Sequence, residues 1–285
     1  MKMKTKTLRT ILKILLVVLL IGAGVSVGGI VYTMNQYSNS IKEYQNLEQY
    51  VTVDNDVKVE EPVIEEAEPE EVQEEEAEPE KPSMIRVDFD MDVAALKAKN
   101  SDFIGWLYYE PLELSYPIVK GKGDDYYEHY SFEQEKNVAG AIFLDYLSKP
   151  NLESFNSIVY GHNMRNGTMF GSLNELITDP GIIEADPYFY IFTEKEAFMY
   201  QIVSAYYTPV GSDTYEIDLD YTLEDMERYV KYMESVSLFK SEEFFDQEVT
   251  EDMKICTLST CHGLHSTSRT VVHGVLIARE ERKTN

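Results

Sequence analysis

Basic residues are scarce in this sequence: 25 lysines and arginines face 51 aspartates and glutamates along 285 residues, for a formal net charge of −26. Such a surface repels a phosphate backbone, which excludes nucleic acid as a partner. The deficit is uneven, because residues 1–50 carry +4 and residues 51–83 carry −12, leaving −18 on residues 84–285. Cysteine is scarcer still, with Cys256 and Cys261 alone. On an extended strand five residues cover roughly 16 Å and point to opposite faces, beyond the roughly 7 Å limit on Cα separation in a disulfide. Two free thiols are therefore expected. No metal-ligand cluster, glycine-rich phosphate loop or cofactor motif occurs, so no cofactor is expected.

Long apolar runs are also rare, and the sequence has one, Ile14 to Tyr32. At about 1.5 Å per residue its nineteen positions cover about 28 Å, close to a bilayer core. Lys2, Lys4, Lys6, Arg9 and Lys13 precede it. A signal peptide has a shorter apolar core, so the run reads as an uncleaved single-pass anchor at a cell membrane. The basic cluster keeps residues 1–13 cytoplasmic and sends everything after Tyr32 outside. Free thiols on an exported domain are unusual enough to suggest that at least one does chemistry.

Residues 33–50 read as a membrane-proximal helical stalk, with Ile41, Tyr44, Leu47 and Glu48 at helical spacing. Residues 51–83 hold fourteen acidic residues against Lys58 and Lys81, with four prolines, and read as a disordered acidic linker that lifts the domain off the membrane. The folded domain occupies residues 84–285. A short helix is expected over Asp92–Lys99, and a second follows Thr222, a natural N-cap with Glu224 and Asp225 in the first turn. Strand-like runs lie at 103–109, 116–120, 138–145, 157–160, 188–192, 197–207, 254–260 and 270–278. Eight strands with one late helix predict a mainly β architecture, a closed or half-closed mixed barrel with peripheral helices.

The chemistry concentrates in Lys254–Gly274. Two strands joined by a seven-residue polar loop read as an antiparallel pair, which brings Cys261 at the end of one close to Arg269 at the start of the next. Cys261 is the candidate nucleophile, since it meets solvent at a strand end between Thr260 and His262, whereas Cys256 lies inside the strand and reads as core. Five histidines are available as proton partner. His162 follows the strand Ser157-Ile-Val-Tyr-Gly161 and opens a tight loop, which places an imidazole at another sheet mouth. His129 is another of the five candidates. His262 and His265 read as solvated loop residues, and His273 as structural. Arg269, in an acidic domain, reads as a donor to a thiolate and then to an oxyanion.

Three blocks carry a family resemblance: Thr257-Leu-Ser-Thr-Cys261 with Arg269, Tyr160-Gly-His162 through Leu173, and Ala139 through Asp145. Together they resemble the class B sortases, over roughly residues 92–278 and in the family's order. The resemblance implies an eight-stranded sortase barrel, with the late helix as the insertion between its sixth and seventh strands. It also implies a cysteine transpeptidase with Cys261 as nucleophile, His162 as general acid and Arg269 as oxyanion donor. Ser259 and Thr260 would line the substrate. The implied partners are surface proteins bearing a C-terminal sorting signal, cleaved after Thr, and a peptidoglycan precursor or cross-bridge amine. Where many class B members carry an acidic or amide residue after the cysteine, this chain has His262-Gly-Leu-His265. A pilin-polymerising sortase and an exported cysteine peptidase that releases its product to water are the alternatives.

Overall fold

The computed structural model describes residues 5–54, 85–217, 220–260 and 268–282. Helix α1 runs from Thr5 to Leu47 and contains the one stretch, among the described residues, that is long and apolar enough to cross a membrane. Its apolar side chains over that stretch are exposed, Val25 by 72% and Leu19 by 68%. The last turns behave differently: Ser40, Tyr44 and Leu47 are buried against the rest of the protein.

After a 3-10 turn the chain enters β1 (Val51–Asp54), which pairs antiparallel with β2 (Asp88–Met91) from Val51 opposite Met91 to Asp54 opposite Asp88. This corrects the reading of residues 51–83 as a spacer. Val51–Asp54 belong to a strand, and the chain leaves at Asp54 and returns at Asp88 to the same place. The stretch after Asp54 therefore does not separate α1 from the barrel, since the end of α1 already docks on it. The remainder of that stretch lies outside the described residues.

Helix α2 (Val93–Lys99) starts where the sequence suggests, with the Asp92 carboxylate accepting from Ala95 N at 2.8 Å and Leu96 turned inward. The barrel then takes β3 (Phe103–Tyr109), β4 (Leu114–Val119), β5 (Ile142–Leu144), β6 (Asn156–Gly161), β7 (Tyr188–Thr193), β8 (Glu196–Pro209), β10 (Ile255–Thr260) and β11 (Ser268–Glu281), with a two-residue strand β9 (Phe239–Lys240) added on β8. The hydrogen-bonded order is β11-β10-β6-β5-β4-β3-β7-β8, and pairing of β8 with β11 closes it into an eight-stranded ring. Closure leaves these strands without a free edge. Two pairs, β4 with β5 and β6 with β10, are parallel, which makes the barrel mixed. Each of the eight runs expected from the sequence is a barrel strand. The run 138–145 contributes only Ile142–Leu144, because Gly140 turns the chain in the left-handed region at φ 58°.

Buried aromatics pack both faces of the barrel wall: Phe192 stacks on Phe89 of β2, whereas Phe189, three residues away in β7 and so on the opposite face, stacks on Tyr200. Trp106, Phe143, Phe189, Phe192 and Tyr200 are all at most 2% exposed, and the Trp106 indole N–H donates to Ser115 Oγ at 3.0 Å. Truncating any such aromatic costs about 3–5 kcal/mol. A second core lies outside the barrel, where the helix Leu223–Val236 lays Met226, Tyr229, Val230 and Met233 on Val203, Tyr206 and Val271. That helix begins with a capping box, Thr222 bonding Asp225 N at 3.2 Å while Asp225 bonds Thr222 N at 3.1 Å. It sits between β8 and β10, the sixth and seventh barrel strands.

Candidate active site

Three strand ends meet at one mouth of the barrel. The β6 and β10 pair is parallel and in register from Ile255 opposite Asn156 to Thr260 opposite Gly161. The β10 and β11 pair is antiparallel, with Ser259 opposite Val271, and Thr270 N donates to Thr260 Oγ1 at 2.9 Å. His162 is the residue after β6, Arg269 the second residue of β11, and Cys261 follows Thr260 in the sequence. Cys261, His262 and His265 lie outside the described residues.

The backbone at His162 is fixed from several sides. Its carbonyl accepts from Met164 N at 3.1 Å and from Phe170 N at 3.0 Å, and Asn163 bridges to Met169, so the following loop closes tightly. Gly161 has no room for a side chain, since a Cβ there would lie 2.4 Å from Ile142 Cδ1. The half-buried imidazole bonds the Glu128 carbonyl through Nε2 at 2.7 Å. A carbonyl can only accept, so Nε2 carries hydrogen and Nδ1 is the nitrogen left to exchange a proton. Burial pushes the imidazole pKa down, opposed by the Glu128 carbonyl and carboxylate and aided slightly by His129. The neutral ring at physiological pH is thus the resting form.

Arg269 is built into an aromatic cleft. Its guanidinium carbon lies 5.0 Å from the Tyr215 ring centre and 5.8 Å from that of Tyr160, and the two rings stack at 6.4 Å. Both tyrosines are tethered: Tyr160 donates to Asp145 Oδ2 at 3.1 Å, and Tyr215 bonds Ser259 Oγ at 2.9 Å. Burial, then the Asp145 charge, holds the Tyr160 hydroxyl far above its usual pKa, so it stays a donor. Among the described residues no carboxylate lies within ion-pair distance of Arg269, and its buried Nε has no hydrogen-bond partner. A cation held by π faces, with an N–H left over, is poised to receive an oxyanion or carbonyl oxygen.

The remaining sequence candidates separate clearly. Cys256 is a free, fully buried thiol whose pKa burial drives far up. His273 is fully buried, with Nδ1 2.8 Å from Thr257 Oγ1 and Nε2 2.9 Å from Tyr206 OH, and burial lowers its pKa to about 3. It is a neutral structural residue. Ser259 and Thr260 are both buried, and their hydroxyls are engaged inside the protein with Tyr215 and Thr270. Three contributors escaped the sequence reading: Tyr215, Tyr160 as a ring under Arg269, and the Glu128 carbonyl. A main-chain oxygen carries no sequence signal, and tyrosine is too common here, at 21 residues, to single out two.

Comparison with known proteins agrees with this geometry. A family model described as a sortase domain matches residues 107–277. Sortase B of Listeria monocytogenes is 32% identical over 187 residues, an overlap of 65% of this chain and 73% of that protein. The structure of Clostridium perfringens sortase B matches with a TM-score of 0.59 at 33% identity, covering 66% of this chain and 100% of the other. Sortase B of Bacillus anthracis in complex with AAEK1 matches with a TM-score of 0.63 at 26% identity, covering 86% and 99%. The ring of eight strands with its late helix, and relatives that share it across most of their length, lead to one conclusion: the chain belongs to the sortase family of cysteine transpeptidases, in class B.

Proposed function

We propose that this protein is a membrane-anchored sortase that cleaves a C-terminal sorting motif after Thr and passes the protein to a peptidoglycan amine. The observation that carries the reading is the in-register parallel pairing of β6 with β10, which ends the two strands level at Gly161 and Thr260. His162 and Cys261 are the residues that follow. In this reading His162 Nδ1 takes the proton of the Cys261 thiol, the resulting thiolate attacks the Thr carbonyl, forming a C–S bond, and Arg269 donates hydrogen bonds to the oxyanion. The C–N bond breaks as protonated His162 gives its proton to the departing amine. The incoming amine then attacks the thioester, loses a proton to His162 and expels the thiolate.

Because the Ser259 and Thr260 hydroxyls are occupied, their share in substrate binding falls to the main chain at the end of β10. The run Ile14 to Tyr32 serves as the anchor, with the basic residues before it cytoplasmic and the barrel outside.

The test is a peptide library of sorting motifs incubated with the protein, with and without glycine-type and diamino-acid amines, with products read by mass spectrometry. Cleavage after Thr with an amine-dependent adduct is expected. Hydrolysis at a rate and product ratio indifferent to added amine would instead make it a peptidase. Flotation of the full chain with vesicles, lost on removing residues 1–32, checks the anchor.

A further inference from the structure

The end of α1 touches the segment that holds the His162 imidazole, and its bond to Gly140 runs through one hydroxyl, that of Tyr44. Residues 127–141 fold back on themselves: Ala141 N donates to the Tyr127 carbonyl at 2.9 Å and Asn137 N to the His129 carbonyl at 2.8 Å. Glu128, whose carbonyl receives His162 Nε2–H, sits between those two bonds. Gly140 is wedged behind it. A Cβ at Gly140 would lie 2.5 Å from the Tyr127 carbonyl oxygen, 3.0 Å from that of Glu128 and 3.0 Å from His162 Cδ2. Any shift of Gly140 is therefore felt by the Glu128 carbonyl and by the ring itself.

Tyr44, on α1, donates its hydroxyl to the Gly140 carbonyl at 2.7 Å in a buried bond. Around it Ser40 Oγ bonds Asn137 Oδ1 at 2.5 Å, and Glu43 accepts from Glu133 N at 2.9 Å. The Tyr44 ring also meets Tyr116 edge-on at 5.4 Å, and the Tyr116 hydroxyl accepts from Met169 N at 3.0 Å. Met169 closes the loop that follows His162. One side chain of the helix thus braces the segments on both sides of the imidazole.

We propose that Tyr44 is a positioning residue for His162, so that docking of the membrane-proximal helix sets the tautomer and the proton affinity of the catalytic imidazole. The kinetic part rests on the assignment of His162 as general acid; the structural coupling does not. A barrel deprived of the helix keeps its strands but loses the outer support of Gly140, and the Glu128 carbonyl becomes free to drift from Nε2.

The experiment is Tyr44→Phe in the full chain in detergent micelles, which removes one oxygen and keeps the ring against Tyr116. The His162 ring nitrogens are followed by NMR through a pH titration, and kcat and KM are measured separately for a sorting-motif peptide. The expected result is a weakened Nε2–H bond with the His162 pKa pushed further down, because the bond to the Glu128 carbonyl is what opposes the effect of burial. kcat should fall roughly three- to tenfold, as for loss of one hydrogen bond, at unchanged KM. A His162 titration and tautomer identical to the parent would overturn the coupling, whatever the activity. A shifted titration with parental kcat would leave the coupling standing and would remove His162 from the rate-limiting chemistry.

Discussion

Gly161 of β6 and Thr260 of β10 are register partners in a parallel pair, so two strands from distant parts of the sequence reach the barrel mouth level with each other. His162 follows Gly161 in the sequence and Cys261 follows Thr260, the two residues to which the proposed function assigns acyl transfer to sulfur. Arg269 arrives from the opposite direction on the adjacent strand.

Cys261→Ala and His162→Ala are each expected to abolish cleavage and transfer, with losses of at least about 10³-fold, because both act in the same step. Cys256→Ala should keep most of the turnover and lose on the order of 1 kcal/mol of stability, since its thiol is fully buried and held protonated. Peptide turnover and thermal unfolding of the three variants decide this. A dead, well-folded Cys256→Ala beside an active Cys261→Ala would reverse the assignment.

Arg269→Lys keeps the positive charge but gives up the planar fork stacked on Tyr160 and Tyr215. If directed hydrogen bonds to the oxyanion matter, turnover drops by roughly 10²-fold, as for loss of an oxyanion donor. Alkylation of the thiol across pH should stay near parental. Parental turnover in the Lys variant would reduce the arginine to a general electrostatic role.

The buried His273 ties stability to pH with a definite sign. The unfolded chain takes a proton on this residue near pH 6.5, and the folded protein does so only near about 3, so the unfolded state binds more protons in between. The contribution is complete above pH 6.5 and is lost as pH falls toward 3, by at most about 1.4 kcal/mol per pH unit. His162, lowered by its own burial, acts in the same direction. In denaturant titrations over this window, His273→Gln should show a flatter loss of stability on acidification than the parent. Equal slopes would mean that the ring is charged in the folded protein.

Removing residues 57–81 should leave turnover of a soluble peptide within about twofold, because the flanking Asp54 and Asp88 already face each other in β1 and β2. Steady-state kinetics of the shortened chain are the check. A tenfold loss would mean that the acidic stretch reaches the active site.

Much of this arrangement can be read from residues alone. Period-two apolar runs place the eight barrel strands, Thr222 with Asp225 announces the late helix, and the strand ends carry His162 and Arg269 to one mouth, while Cys261 lies outside the described residues. What escapes is whatever depends on contacts between distant segments. Val51–Asp54 looks like the beginning of an acidic tail because its four residues hold one aspartate and two valines, too short a run to show periodicity against the charge that follows. Ser40, Glu43 and Tyr44 sit on a helix whose polar side reads as solvated, and only the folded 127–141 segment gives them partners. The cleft under Arg269 joins Tyr160 of β6 to Tyr215, which precedes the late helix, a pairing no local pattern encodes.

The closed base of the acidic stretch has a consequence for variation in this protein. A loop whose ends are pinned side by side contributes a closure entropy that grows only logarithmically, about 0.6 kcal/mol for each doubling of its length. Lengthening or shortening the chain between Asp54 and Asp88 therefore leaves the position of the barrel relative to α1 unchanged. The distance from the apolar stretch of α1 to the barrel is set by the rise of the helix, at about 1.5 Å per residue, so one residue inserted between Tyr32 and Ser40 would also turn the barrel by about 100° about the helix axis. The sequence between Asp54 and Asp88 can vary in length, while the helix between the apolar stretch and the barrel acts as a ruler with a fixed count.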